Sequence, residues 1–226
     1  MQRTILASFS IEMVVRNYRI LLSGFAPTII TIFFMNFINC DKITNDIDES
    51  QQFCRASGGL MLPLDQFPSY SCATCYRHID ERLFENGTKF QQAGLYLRNR
   101  TSGELFEAAF ANTTSPIFKT FRTRKVENLW IQCCQAAVRC CENMRRTPPS
   151  SDQFFCPRTW DGWNCWPDTP NGTVAKAICP SYIYFHSDEP QCTHYATKTC
   201  WENSTWFRNH KGNEYSNYST CGQSKV

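Results

Sequence analysis

Between Val126 and Met144 the apolar positions recur at helical spacing: Val126, Leu129, Trp130, Cys133, Cys134, Ala137, Val138, Cys140, Cys141 and Met144. The pattern predicts an amphipathic helix of about five turns. Thr147-Pro148-Pro149-Ser150-Ser151 ends it, because proline cannot continue a helix. Beyond Gln153 the pattern shifts to short strands. Trp160-Asp161-Gly162-Trp163 sets an Asp-Gly turn between aromatics, a hairpin signal. Asp168 to Gly172 reads as a second turn, joining a strand at Asn164–Trp166 to one at Thr173–Ala175. Ser181–Phe185, Tyr195–Thr199 and Thr205–Phe207 read as further short strands. Residues 40–125 show few periodic stretches. Cys72-Ala73-Thr74-Cys75 and the charged residues after it suggest one stapled turn plus a helix.

The N-terminus has its own pattern. A polar stretch bearing Arg3, Arg16 and Arg19 precedes an apolar run from Ile20 to Ile38. It reads as a signal peptide covering 1–39. A retained signal anchor is the alternative, and about 19 residues would just span a bilayer. Gly24, Pro27 and Asn36 disfavour that anchor. No second run of this kind follows before Val226, so the reading has no transmembrane bundle within the chain.

Composition then narrows the class. Fourteen cysteines in 226 residues point to disulfides in a secreted protein. Six Asn-x-Ser/Thr sequons, at Asn86, Asn99, Asn112, Asn171, Asn203 and Asn217, point the same way as glycosylation sites. The net charge of +3 is small, and Arg3, Arg16 and Arg19 against Glu12 account for +2 of it. The remainder is nearly neutral, which argues against a nucleic-acid partner. A metal site at Cys72-x-x-Cys75 or at the two Cys-Cys pairs is disfavoured by the sequons, so no metal or other cofactor is expected. His78, His186, His194 and His210 show no nucleophile or acid–base motif, so no catalytic residue is assigned and no enzyme is expected.

Cys156-Pro-Arg-Thr-Trp-Asp-Gly-Trp-Asn-Cys165-Trp-Pro-Asp-Thr-Pro170 resembles the extracellular hormone-receptor domain of class B (secretin family) G protein-coupled receptors, with the calcitonin-receptor branch most similar. The resemblance continues through Ala177-Ile-Cys179-Pro-Ser-Tyr182, Ala196-Thr-Lys-Thr-Cys200, Thr205-Trp-Phe-Arg208 and Asn217-Tyr-Ser-Thr-Cys221. It covers 126–226 and leaves 40–125 as a cysteine-containing extension of unknown fold. The resemblance implies a small disulfide-rich α+β fold. An N-terminal amphipathic helix packs on short antiparallel hairpins, held by three core disulfides. It implies Cys140–Cys165, Cys156–Cys200 and Cys179–Cys221, one choice among the 15 pairings that six thiols allow.

Cys133, Cys134, Cys141 and Cys192 are additional to that framework. Cys134 and Cys141 lie about 10 Å apart along a helix. So do Cys133 and Cys140, whereas a disulfide needs Cα atoms within about 7 Å. The extra thiols must therefore reach Cys192 or the four at 40, 54, 72 and 75. This predicts a covalent staple between the extension and the helix.

The resemblance also implies roles. Asp161 fixes the hairpin, and Trp166 and Trp206 pack around Lys198; these four are structural. The C-terminal part of a peptide hormone lies between the helix and the hairpin tips. Trp163 matches a peptide-contacting position, with hairpin packing as its alternative. Tyr215 and Ser216 match the pair that receives an amidated peptide end. Positions facing the groove fall on Cys133, Cys134 and Ala137, so cysteines tied elsewhere would cover part of it. Either the extension helps build the site, or the ligand sits differently. Ser204 stands where the family usually has glycine.

The implied partners are a peptide hormone, a single-pass accessory protein, and a heterotrimeric G protein only in a form carrying the transmembrane bundle. The implied place is the extracellular side of the plasma membrane, or the secreted fraction for a truncated soluble form. The alternative function is a secreted disulfide-rich carbohydrate-binding protein or a soluble decoy.

Overall fold

A computed structural model describes residues 52–148 and 154–222. The signal peptide at 1–39 and the partner of Cys40 lie outside these residues.

The first half of the described chain opens with a small hairpin. Strands β1 (Phe53–Arg55) and β2 (Met61–Pro63) pair antiparallel, Cys54 opposite Leu62. Helix α1 follows at Phe67–His78. Pro68 stands in its first turn, where a missing N–H costs nothing. Its last carbonyls are capped from outside: Lys89 Nζ donates to Arg77 O at 3.1 Å and to Ile79 O at 2.5 Å. Strands β3 (Gln91–Ala93), β4 (Tyr96–Arg98) and β5 (Leu105–Glu107) form an antiparallel meander, with Leu97 of the central strand fully buried. A 3₁₀ turn at Pro116–Thr120 leads to helix α2.

Helix α2 spans Arg124–Arg146. The Thr123 hydroxyl accepts the Val126 N–H at 3.3 Å as an N-cap, and Arg145 and Arg146 sit in the last turn, favourable against the helix dipole. The helix buries Val126, Trp130, Cys133, Cys134, Ala137, Cys140 and Cys141, which is the stripe expected from the sequence.

The second half is built from two-residue strands and one longer hairpin. β6 (Phe155–Cys156) pairs with β9 (Thr169–Pro170), and β7 (Thr159–Trp160) with β8 (Cys165–Trp166). β10 (Val174–Ile178) pairs antiparallel with β11 (Tyr195–Thr199). The architecture is a small disulfide-rich α+β fold.

Several local expectations change. Thr169–Pro170 is a strand that pairs back on Phe155–Cys156, so the chain after Trp166 does not turn directly onto Val174. The cause is Asp168, whose carboxylate accepts both the backbone N–H and the guanidinium of Arg158 and pins the two segments side by side. Ser181–Ile183 is a 3₁₀ turn rather than a strand, and it buries Tyr182. Around Thr205–Phe207 the pairing shrinks to one bridge, Trp206 opposite Cys200. Cys72 and Cys75 lie inside α1, not in a turn before it.

Six disulfides tie these pieces together among the described residues. Cys140–Cys165, Cys156–Cys200 and Cys179–Cys221 span the second half, in the pairing implied by the resemblance. Cys54–Cys141, Cys72–Cys134 and Cys75–Cys133 bind the extension to α2, with sequence separations of 87, 62 and 58. Loops of that length are worth about 4 kcal/mol per link in the chain-entropy model. Cys192 is exposed and has no disulfide partner among the described residues.

Two apolar cores result. The larger runs without a break from the extension into α2 and includes Phe67, Tyr76, Ile117, Trp130 and Trp160. Trp130 is its hub. Its ring meets Tyr76, Phe118 and Phe121 at 5.3–6.3 Å, and its indole N–H donates to Cys72 O at 3.0 Å. The smaller core gathers Trp166, Tyr184, Ala196 and Trp206 around four half-cystines, Cys156, Cys179, Cys200 and Cys221.

Candidate functional site

The hairpin tip is organised by one carboxylate. Asp161 Oδ1 accepts the backbone N–H of Trp163 at 2.9 Å and of Asn164 at 2.8 Å. Its Oδ2 accepts the indole N–H of Trp166 at 2.6 Å and the Tyr218 hydroxyl at 2.9 Å. An aspartate fits because a short acidic side chain reaches its own turn and has lone pairs left for donors outside it. Burial, together with the adjacent Asp161 charge, pushes the Tyr218 phenol well above its ordinary pKa. Every oxygen of Asp161 is thus committed within the fold.

Lys198 occupies a second organised spot. Its side chain is 1% exposed, its ammonium lies 5.1 Å from the Trp206 ring centroid, and it donates to Ser216 Oγ at 3.2 Å. Glu214 Oε2 stands 3.9 Å away. Burial lowers the Lys198 pKa, and the carboxylates of Asp161 and Glu214 oppose that shift. The Trp166 indole N–H is taken up by Asp161 Oδ2, and the Trp206 indole donates to Pro157 O at 2.8 Å. Glu214 also holds Arg55 of β1, through Nη1 at 3.3 Å and a closer contact from Nη2. One buried carboxylate therefore serves a cation from each half of the chain.

The face of α2 that carries Cys133, Cys134 and Ala137 is completely buried, because α1 lies on it. The extension thus covers the helix positions that the resemblance placed toward the groove. Gly162 takes a φ of 102°, and a Cβ at that position would stand 2.8 Å from His78 Cε1. Close approach of the tip to α1 therefore requires glycine. His78 stacks on Trp163, and Phe185 meets the same indole at 5.9 Å. Trp163 is half-buried, and its carbonyl accepts the Tyr182 hydroxyl.

A cavity of about 330 Å³ remains between these parts. Tyr70, Thr74 and Arg77 of α1 form one wall, Trp160 and Gly162 a second, and Asn213 and Glu214 a third. The immediate neighbours of Trp163 and of Tyr215 thus face one cavity. Tyr215 is exposed, set edge-on to Phe207 at 6.1 Å, and Ser216 is engaged with Lys198. Trp160 is buried, and among the described residues its indole N–H has no acceptor.

The sequence did not single out Arg55, His78 or Glu214. The charged pair is separated by 159 residues, which no local pattern signals. The only trace of the α1 wall was the Cys72-x-x-Cys75 spacing. Asn86, Asn112, Asn203 and Asn217 are exposed, and Asn99 and Asn171 are half-buried. Among the described residues no group of three His, Cys, Asp or Glu side chains is placed to hold a metal ion. Among them, too, no helix is long and apolar enough to cross a membrane.

A sequence model of the hormone receptor domain family matches residues 153–224. The chain is 38% identical over 89 residues to the calcitonin receptor of Sus scrofa, covering 38% of this chain and 17% of that protein. Against the calcitonin receptor of Homo sapiens the identity is 38% over 88 residues, with 38% and 18% covered. Against the calcitonin gene-related peptide type 1 receptor of Xenopus tropicalis it is 35% over 88 residues, again with 38% and 18% covered. The chain spans under a fifth of the length of these relatives.

Proposed function

We propose, from the premise that residues 153–224 are a hormone receptor domain of the class B, calcitonin-receptor-like kind, that this chain captures a peptide hormone at the cavity between α1, the hairpin tip and the Asn213–Ser216 segment. That domain family is a receptor family, not an enzyme family. The single observation carrying the reading is that Gly162 and Glu214, the sequence neighbours of Trp163 and Tyr215, line one cavity. Tyr215 supplies an exposed aromatic wall, and a peptide turn burying apolar anchors there follows the logic of groove recognition. Asp161, Trp166, Lys198 and Trp206 act as the frame.

In this reading the chain divides into a cleaved leader at 1–39, an extension at 40–125 and the receptor domain at 126–226. It works on the extracellular side of the plasma membrane. Signalling through a G protein, and pairing with a single-pass accessory protein, belong to a form that carries a membrane bundle. A form without one would bind the hormone without signalling.

The test is calorimetric titration of the full chain with C-terminally amidated calcitonin-type and calcitonin gene-related peptides, alongside their free acids. Tyr215→Ala and Trp163→Ala should each weaken the best ligand roughly tenfold or more, the size of an aromatic anchor loss. Binding unchanged in both variants, or absent for every peptide, would overturn the reading.

A further inference from the structure

A second cavity, of about 390 Å³, lies wholly within the extension. It sits where the C-terminal end of α1 meets β3 and the segment after β4, and Arg77, Lys89 and Arg100 all line it. The cations are weakly neutralised. Arg100 pairs with Glu81 at 3.1 Å, an exposed contact. Lys89 is held by two backbone carbonyls, and Arg77 Nη2 meets the His78 ring at 3.4 Å. Asp80, three residues from Arg77, is turned to Arg82 and His186. Burial and the Arg100 charge lower the Lys89 pKa, although Glu81 and Asp80 pull the other way.

The same wall offers hydrogen-bonding groups of another kind. Gln92 donates its amide N–H groups to Thr74 Oγ1 at 3.1 Å and Gly94 O at 3.3 Å, which fixes the orientation of the amide. Its Oε1 is buried without a donor. Tyr70 adds an aromatic face. Three cations call for an oxyanion, whose geometry arginine matches well. The Gln92 amide and the Tyr70 ring line the same wall, and a sugar brings hydroxyls and a ring face that a bare oxyanion lacks.

We infer that this cavity binds an acidic sugar, its sulfate or carboxylate facing Arg77, Lys89 and Arg100 and its hydroxyls facing Gln92. The site lies outside residues 153–224 and shares its Tyr70 and Arg77 edge with the peptide cavity.

Microscale titration of the full chain with a chemically defined, heparan-type sulfated tetrasaccharide tests it, with the desulfated sugar and inorganic sulfate as separate arms. The sulfated sugar should bind at least about tenfold more tightly than either. Arg100→Gln and Arg77→Gln should each weaken it by about three- to tenfold. Arg98→Gln, which removes an exposed arginine outside the cavity, should leave it unchanged. Equal losses in Arg98→Gln and Arg100→Gln would show diffuse charge attraction and overturn the proposal. So would inorganic sulfate binding as tightly as the sugar, or no binding of the sugar at all.

Discussion

The imidazole of His78 lies stacked on the indole of Trp163, with ring centroids 4.8 Å apart and planes 26° from parallel. The last turn of α1 thereby closes over the hairpin tip. Burial, and secondarily the Arg77 charge, push the His78 pKa from 6.5 down to about 4, with Asp161 pulling the other way. An unfolded chain takes up this proton near 6.5, and the folded chain only near 4. Between those values the unfolded state binds more protons, so stability falls as pH is lowered through the window and is complete above it. Denaturant midpoints measured from pH 7 to pH 4 should show a steeper loss in the wild type than in His78→Phe, which keeps a ring but cannot titrate. Parallel curves for the two would remove His78 as the cause.

Gly162 faces the same ring. Alanine there must hold a φ of 102° with its Cβ 2.8 Å from His78 Cε1 and 3.3 Å from Thr74 Cγ2. Left-handed backbone and overpacking add, so Gly162→Ala should cost about 3 kcal/mol. Gly87→Ala is the comparison, since its φ is 69° but nothing stands within 4 Å of the new Cβ. It should lose about 1 kcal/mol. Equal losses in equilibrium unfolding would mean the close approach to α1 is not tight.

Asp161→Ala strips acceptors from two backbone N–H groups, the fully buried Trp166 indole and Tyr218. Unsatisfied buried donors make this a loss of roughly 3 kcal/mol. The Tyr218 phenol should also titrate at lower pH, because one of the causes that raise it is gone. Ultraviolet titration of tyrosinate reads the second effect independently of stability. A loss of stability with no change in that titration would disconnect Asp161 from Tyr218.

Ser204 is the one non-glycine residue with positive φ among the described residues, at 62°. The turn it makes is closed by Ser204 N–H donating to Trp201 O at 3.0 Å. Ser204→Gly should stabilise the chain by about 0.5–1 kcal/mol, a change of opposite sign to the others. It leaves the Asn203-x-Thr205 sequon intact, so glycosylation does not confound the thermal melt. A lower melting temperature would show that the serine side chain contributes something the backbone does not.

Some of this was legible in advance because local pattern and tertiary burial agree. The α2 stripe from Val126 to Cys141 is apolar in sequence and buried in the fold. The Asp161-Gly162 signal sits at a real hairpin tip. Helix α1 was not legible, because it buries Ser69, Ser71 and Thr74 along with its apolar residues. Its small residues permit close packing against α2 but leave no hydrophobic period to detect. Ser181–Phe185 is rich in aromatic residues, yet the tertiary use of Tyr182 under Trp163 outweighs the strand propensity. The pairing of Arg55 with Glu214, which lines the cavity, is a contact no window of sequence can contain.

The three links from Cys54, Cys72 and Cys75 to α2 have a practical consequence. A recombinant fragment beginning at residue 126 would present Cys133, Cys134 and Cys141 as bare thiols on an uncovered helix. Such a fragment would scramble or aggregate during oxidative folding, however faithfully the remaining sulfurs are copied. Any recombinant or synthetic version has to carry the leading segment with it, or replace all three helix cysteines at once.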